Sequence, residues 1–417
     1  MFYFVIQTSR TTHYMKKVNV LILIILASFM LCCSSEKNTE NKLPCIDIKK
    51  NYPEKEIILT DIADVTYVHL NTDDDDYLHK SCYTQITESK IVVCDLYSGS
   101  ILFFLKDGTP KSRFNRYGAG SEEYISKKND MCFYDEPADE VFVGNSGNRI
   151  IQVYSSTGKY KRTLTLRQGA QPYQIVEFDN QSFVVFDAGL MWEKSFSGSN
   201  FILQAIDSSY YRISKTDGEI VEYIELPGNE IDLSVEGNLK GNKINNIPTN
   251  KRLTKCAAGL FFCNLESDTV FRCNKNTSLT PVFCKSPLVS NLEKKIILSN
   301  YIEIGKYQYM SIETHLGLLE MRGNWMESFK FYMRDKQTGE IFQQKIVLPD
   351  YNGHHFVISS LYNTTYNEKE TLLCYRLNLF DLKQAYEDNK LGGKLKELVA
   401  TLDDMNDNDV LMFVLFR

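Results

Sequence analysis

Along most of the chain, short runs of β-branched and aromatic residues alternate with Gly, Asn and Asp, the pattern of strands bounded by turns. Helical spacing is scarce. Leu395, Leu398, Val399 and Leu402 recur at helical spacing within Leu391–Leu402 and predict one short helix. Elsewhere a template repeats: an apolar strand ending in Asp or Asn, a gap, a second strand and a turn. Its first copy joins Ile91–Asp95 to Ile101–Leu105 and turns at Gly108, and its second joins Val141–Asn145 to Ile150–Tyr154 and turns at Gly158. A third pairs Phe183–Asp187 with Tyr210–Ile213 before Gly218, and a fourth pairs Leu260–Asn264 with Thr269–Cys273. A fifth has Phe329–Met333 before Gly339, and Phe356–Ser359 with Leu372–Tyr375 suggests a sixth.

Glycines 108, 158 and 218 stand 50 and 60 residues apart, a period that in all-β sequence points to radially arranged, four-stranded blades with insertions on one face. Val65–Leu70 and Val410–Phe416 are strands without a neighbour in sequence. Pairing them in one blade would close a ring and remove two open edges.

The amino end breaks the pattern. Lys16 and Lys17 precede an apolar run from Val20 to Leu31, which stops at Cys32-Cys33. Twelve residues span about 18 Å, short of a bilayer core of about 30 Å, so the run reads as a secretory signal rather than a membrane span. Met15 heads this signal and is a second candidate start. Met30-Leu31-Cys32-Cys33 resembles a bacterial lipobox, with Cys33 as the lipidated residue. The reading therefore divides the chain into residues 1–32 as signal, 33–56 as lipidated cysteine and tether, and 57–417 as one domain.

Composition narrows the function. The chain carries 47 Lys+Arg against 53 Asp+Glu in 417 residues. Losing Arg10, Lys16 and Lys17 with the signal makes the remainder more acidic still, which argues against nucleic acid and against anionic lipid as partners. The 43% apolar share excludes wholesale disorder. Beyond the signal and the lipidated Cys33, nine cysteines remain: 45, 82, 94, 132, 256, 263, 273, 284 and 374. They form no Cys-x-x-Cys and read as core thiols, with one or two cross-strand disulfides within Cys256 to Cys284 as the alternative.

Local catalytic motifs are missing. Gly144 to Asn148 lacks the last glycine of a nucleophile elbow, and Gly393-Lys394 is followed by Leu395, so no phosphate loop forms. His354 and His355 would face opposite sides of a strand. Asp73 to Asp76 offer oxygen ligands but read as a solvated turn, and no metal or cofactor is expected. Trp192 and Trp325 are candidate sugar platforms, with ordinary blade packing as the other reading. Asp95, Asn145, Asp187 and Asn264, one per repeat, are candidate ligand-binding residues, set against a role in fixing turns. Glu123 and Tyr124, after a glycine-rich turn, are candidates for the rim of the same face.

Four stretches carry a resemblance: Leu59–Asp64 with Tyr67–Leu70, Gly118–Tyr124, the second repeat, and Asn408–Leu411. Together they resemble the six-bladed β-propeller lipoproteins of Bacteroides-type bacteria, although Ser121 stands where that family has Pro. Val141–Lys159 also resembles an NHL repeat, with Asn145 where Asp is commonest. The resemblance implies six four-stranded antiparallel blades, a short helix before the closing strand, and location at the cell envelope. The lipobox-like Cys33, the tether, the repeat and the missing catalytic motifs lead to the expectation of a non-catalytic protein that binds a protein, peptide or glycan across one face. The alternative is a hydrolase or lyase drawing paired carboxylates from Asp95, Asp187 or Glu123, and a third reading is a sensory or scaffolding subunit beside a nutrient-uptake system.

Overall fold

The computed structural model describes residues 43–72, 76–79, 82–125, 131–144, 149–188, 209–227, 235–239, 242–246, 252–315, 328–359, 364–366, 371–403 and 406–417. Cys33, Asn145, Trp192, Trp325 and Asp73 to Asp75 lie outside them. Pro44–Arg417 forms one compact unit, and it is a six-bladed propeller of four-stranded antiparallel blades with few helices.

Each blade is a meander. In blade one the strands Cys82–Ile86, Lys90–Asp95, Ile101–Leu105 and Pro110–Phe114 pair in sequence order, and in blade two Met131–Asp135, Glu140–Gly144, Ile150–Tyr154 and Tyr160–Thr165. Blade three has Pro172–Asp179, Ser182–Asp187, Tyr210–Ser214 and Ile220–Tyr223; blade four has Leu253–Cys256, Gly259–Asn264, Thr269–Cys273 and Leu279–Ser286. Blade five has Ile296–Ile304, Tyr307–Thr314, Phe329–Asp335 and Ile341–Val347. The first strand of each blade is the innermost, since these strands touch one another between blades.

The second and third strands are buried on both faces, which is why they read as unbroken apolar runs. In blade one, Val92, Cys94, Ile101 and Phe103 pack toward blade two with Tyr134, Val141 and Val143. Their sequence neighbours Ile91, Val93, Leu102 and Phe104 pack the other way, against Cys374, Leu411 and Phe413 of blade six. The same alternation sends Phe183 and Val185 toward blade two, and Val184 and Phe186 toward blade four. Period-two geometry thus turns each blade into a wedge with two dry faces.

The repeating turn glycines are contacts as well as turns. Gly108 and Gly158 sit at φ +89° and +79°, where side chains are strained. A Cβ on Gly108 would lie 1.9 Å from the His69 carbonyl oxygen, and one on Gly158 would lie 2.5 Å from the Phe114 Cβ. In each case the neighbour belongs to the outer strand of the preceding blade. The glycine therefore lets one blade's last turn close onto the blade before it.

The ring closes as the terminal strands suggested. Blade six runs Thr364–Tyr366, Thr371–Leu377, Val410–Phe416 and finally Ala63–His69, with Val410 opposite His69 and Phe416 opposite Ala63. Asn408, almost fully buried, accepts from the His79 amide (2.9 Å) and donates to the Leu70 carbonyl (2.8 Å), tying the closing strand to the start of blade one. Asp409 accepts from the Leu379 amide at 2.8 Å and pairs with Arg376 at 3.0 Å.

Three features differ from the sequence reading. His355–Phe356 pairs with Ile346 and Val347 in blade five rather than contributing to blade six, because Phe356 is drawn into the large core shared by blades four to six. The expected helix is Gly393–Ala400, but a second, Leu379–Glu387, precedes it, with the Asn378 side chain accepting from the Asp381 amide at its start. Finally, Cys45–Asp47 and Glu54–Ile58 add parallel strands outside blades four and five, so the sheet begins ahead of residue 57.

A candidate binding face

The two ends of the inner strands are connected very differently. At the end where these strands finish, first strands turn into second strands through 87–89, 136–139, 180–181, 257–258, 305–306 and 367–370. Third-to-fourth turns are equally tight, at 106–109, 155–159, 215–219, 274–278 and 336–340. We call this the exit face. At the opposite, entry face the connections include 115–130, 188–209, 224–252, 315–328, 348–363 and 378–409. Long connections on one face of a rigid scaffold are where binding groups concentrate.

Asp95, Asp187 and Asn264, three of the strand-ending residues singled out from the sequence, fall at the entry end of their blades' second strands; Asn145 lies outside the described residues. The Asp95 carboxylate accepts from the Tyr97 amide (3.1 Å), the Ser98 amide (3.1 Å) and the Ser98 hydroxyl (2.6 Å). Asn264 accepts from the amides of Glu266 (3.1 Å) and Ser267 (3.3 Å). These are short polar side chains bonded to their own turns. Asp187 reaches further: fully buried, it accepts from the Gln171 amide at 3.1 Å and from the Tyr211 hydroxyl at 2.7 Å, joining the incoming connection to the second and third strands of blade three. Burial and the adjacent Asp187 charge push Tyr211 well above the ordinary tyrosine range, so it stays a donor.

The glycine-rich loop is built around Glu123 and Tyr124. Glu123 Oε2 accepts from the Gly120 amide at 2.8 Å and fills the space over Gly118, where a Cβ would lie 1.9 Å away. Tyr124 is buried, donates to the Gly99 carbonyl (2.7 Å) and accepts from the Arg116 amide (2.8 Å). Blade two holds the loop from below, through Gln152 Nε2 on the Ser121 carbonyl (3.1 Å) and the Tyr154 hydroxyl on that of Glu122 (2.7 Å). The loop is thus a fixed platform. Around it Tyr97, Tyr117 and Ile125 are exposed, Tyr97 at 75%.

Sequence reasoning missed the buried charges of this face. Arg252, at the start of blade four, bonds both Glu266 oxygens at 2.8 Å and lies 4.8 Å above the Phe186 ring. Burial alone would make this guanidinium easier to deprotonate, but Glu266 more than reverses that. Glu313 and His315, both buried at the end of blade five's second strand, approach within 3.7 Å. Only a polar residue at an otherwise apolar strand end signals these groups, and the contacts of Arg252 come from a turn and from another blade.

The exit face is laced with charge between blades. Lys215, 5% exposed, bonds Asp135 of blade two at 2.8 Å and Glu177 of its own blade at 2.7 Å, and Lys255 of blade four approaches Glu177 at 3.4 Å. Arg162 bonds Glu140 through both oxygens, at 2.6 and 2.7 Å, and donates to the Lys215 carbonyl at 2.7 Å. Between blades one and two, Lys90 donates to the Tyr134 hydroxyl (2.9 Å) and to Glu136 (3.3 Å). Burial would raise the Glu136 pKa, but hydrogen bonds from Ser89, Thr87 and Lys90 outweigh it and hold this carboxyl down at about 2. Among the described residues no group of three or more His, Cys, Asp or Glu is placed to hold a metal ion, and no helix is long and apolar enough to cross a membrane.

Comparison with known proteins agrees with this architecture. Residues 34–224 match the family model described as 6-bladed beta-propeller. No curated protein matches the sequence. Among solved structures, a Bacteroides fragilis protein described as exported superposes with a TM-score of 0.58 at 13% identity, over 90% of this chain and 99% of its own. A DUF4221-family member from Bacteroides vulgatus aligns with a TM-score of 0.45 at 10% identity, over 85% of this chain and 97% of its own. Virginiamycin B lyase from Staphylococcus aureus aligns with a TM-score of 0.36 at 13% identity, over 75% of this chain and 95% of its own. The chain thus resembles the six-bladed propeller proteins of Bacteroides, as its four sequence stretches implied.

Proposed function

We propose that this six-bladed propeller is an extracytoplasmic, lipid-anchored binding protein that takes a protein, peptide or glycan across its entry face. The observation that carries the reading is the asymmetry of the connections: two to five residues at each exit-face turn, against insertions such as 188–209 and 224–252 at the other end. A rigid ring with variable loops on one side is the arrangement of a recognition scaffold. The signal-like segment before Cys33 and the exported Bacteroides relative support the location.

Two measurements test it. Fatty-acid labelling of the protein in a Bacteroides host is expected to mark the wild-type chain and not Cys33→Ser; labelling of both would place the lipid elsewhere. Peptide and glycan arrays are expected to retain the chain, with binding weakened at least about tenfold, or 1.4 kcal/mol, by Tyr97→Ala with Tyr117→Ala and unchanged by Lys161→Ala, whose ammonium lies on the exit face 3.6 Å from Glu140. Binding lost only with the exit-face variant, or turnover of the retained ligand, would refute the reading.

A further inference from the structure

The three-residue strand Cys45–Asp47 is the first element of the propeller. It runs parallel to the outer strand of blade four, with Cys45 opposite Cys284, Ile46 opposite Lys285 and Asp47 opposite Ser286. Few contacts hold it: the Cys284 amide donates to the Pro44 carbonyl (2.8 Å), the Ile48 amide to the Ser286 carbonyl (2.9 Å), and Ile46 is buried in the core of blades four to six. Ile46 and Lys285 face inward, so the flanking register places Cys45 and Cys284 together on the outer side, both partly exposed. The neighbouring Cys284 side chain lowers the Cys45 thiol below its ordinary value. Neighbouring strands lie about 4.8 Å apart, inside the range of Cα separations of about 4.4 to 6.8 Å that a disulfide spans.

We propose that Cys45 and Cys284 form a disulfide that locks the amino-terminal strand onto the rim of blade four. The oxidant is a small-molecule or protein disulfide, RSSR. The Cys45 thiolate attacks one sulfur of RSSR and expels RS⁻, giving a mixed disulfide. The Cys284 thiolate then attacks the Cys45 sulfur and expels the second RS⁻. Two thiols are oxidised, RSSR is reduced to two RSH, and the two protons released by the cysteines are taken up by the leaving thiolates. Cys45 suits the first step, since the Cys284 side chain, aided by Lys285, holds its thiol below the ordinary value despite burial.

A second thiol pair sets the contrast. Cys94 and Cys132 meet in the core between blades one and two, but Cys94 is almost fully buried and its thiol is held well above the ordinary value by Cys132 and by burial. It has neither the access nor the thiolate for exchange and stays reduced.

The test uses the whole chain, purified with reductant, transferred to oxidised glutathione, alkylated, denatured, alkylated with a second reagent and mapped by mass spectrometry. The expected result is one peptide joining Cys45 to Cys284, with Cys94 taking the second reagent. Cys45→Ser and Cys284→Ser should keep the wild-type circular dichroism and each leave the partner cysteine unlinked. Amide exchange at 45–48 should slow about tenfold or more on oxidation of the wild type and in neither variant. Free Cys45 after oxidation, its linkage to a different cysteine, or exchange rates unchanged by oxidation would overturn the proposal. Loss of lipid labelling in Cys33→Ser bears only on the anchor.

Discussion

The two faces of this ring divide its labour. On the exit face, turns are minimal and charges reach from blade to blade: Lys90 to Glu136, Lys215 to Asp135, Lys255 to Glu177. On the entry face, polar side chains such as Asp95 and Asn264 are bonded within their own turns, and the long connections leave from there. The difference follows from how a meander is threaded. Tight turns place neighbouring blades' strand ends at fixed positions, so charges planted there meet reliably. A connection of twenty residues fixes nothing about its neighbour and is free to vary in length.

If the exit face holds the blades together, its most buried charge gives the largest effect. Lys215→Met should cost about 2 to 4 kcal/mol in chemical denaturation, because Asp135 and Glu177 lose their shared cation while both remain partly buried. A loss under about 1 kcal/mol would mean that apolar wedges alone carry the ring. Next in size is Gly158→Ala. Its new Cβ meets Phe114 at 2.5 Å from a φ of +79°, whereas Gly339→Ala, at φ +76°, meets only the Arg334 guanidinium at 3.5 Å. We expect about 2 to 3 kcal/mol for the first and about 1 for the second, from the same denaturation curves. Equal losses would show that the left-handed turn alone, and not closure onto the preceding blade, demands glycine.

A pH titration separates the faces further. Glu136 is held at about 2 against an ordinary 4.5, so its contribution is present above pH 4.5 and is lost as pH falls from 4.5 toward 2. Glu136→Gln should therefore lower the melting temperature near neutral pH and flatten its decline through that window. Parallel melting curves for the two proteins would remove Glu136 from the links between blades one and two.

Sequence and structure agree where burial is two-sided. Ile91–Asp95, Val141–Phe142 and Phe183–Asp187 are legible as strands because both faces of each are dry, and Gly108 and Gly158 because positive φ demands glycine. Inner strands are harder to read. Thr364–Tyr366 and Leu253–Cys256 are short, and part of the bonding of Leu253 is supplied from elsewhere: the Gln174 side chain of blade three bonds its carbonyl (2.6 Å) and amide (2.9 Å). Cys45–Asp47 could not be recognised at all, since three residues show no period and the partner strand begins at Leu279. Among site residues, the turn bonds of Asp95 were foreseeable from its own sequence. The Arg252–Glu266 pair over Phe186 was not, because the ring beneath it belongs to another blade.

The smallest expected change is the sharpest statement about the entry face. Tyr97 follows the turn fixed by Asp95, and three-quarters of its surface is open to solvent. Its backbone amide, not its ring, supplies the bond to Asp95, at 3.1 Å. Tyr97→Ala therefore leaves the turn intact and should change stability by no more than about 0.5 kcal/mol, while Asp95→Ala, which removes three acceptor contacts, should cost about 1 to 2. Both are read by the same denaturation curves. A ring that can be cut away without cost to the fold is held out for contact rather than for packing, whereas a loss from Tyr97→Ala matching that of Asp95→Ala would make this part of the entry face as structural as the exit.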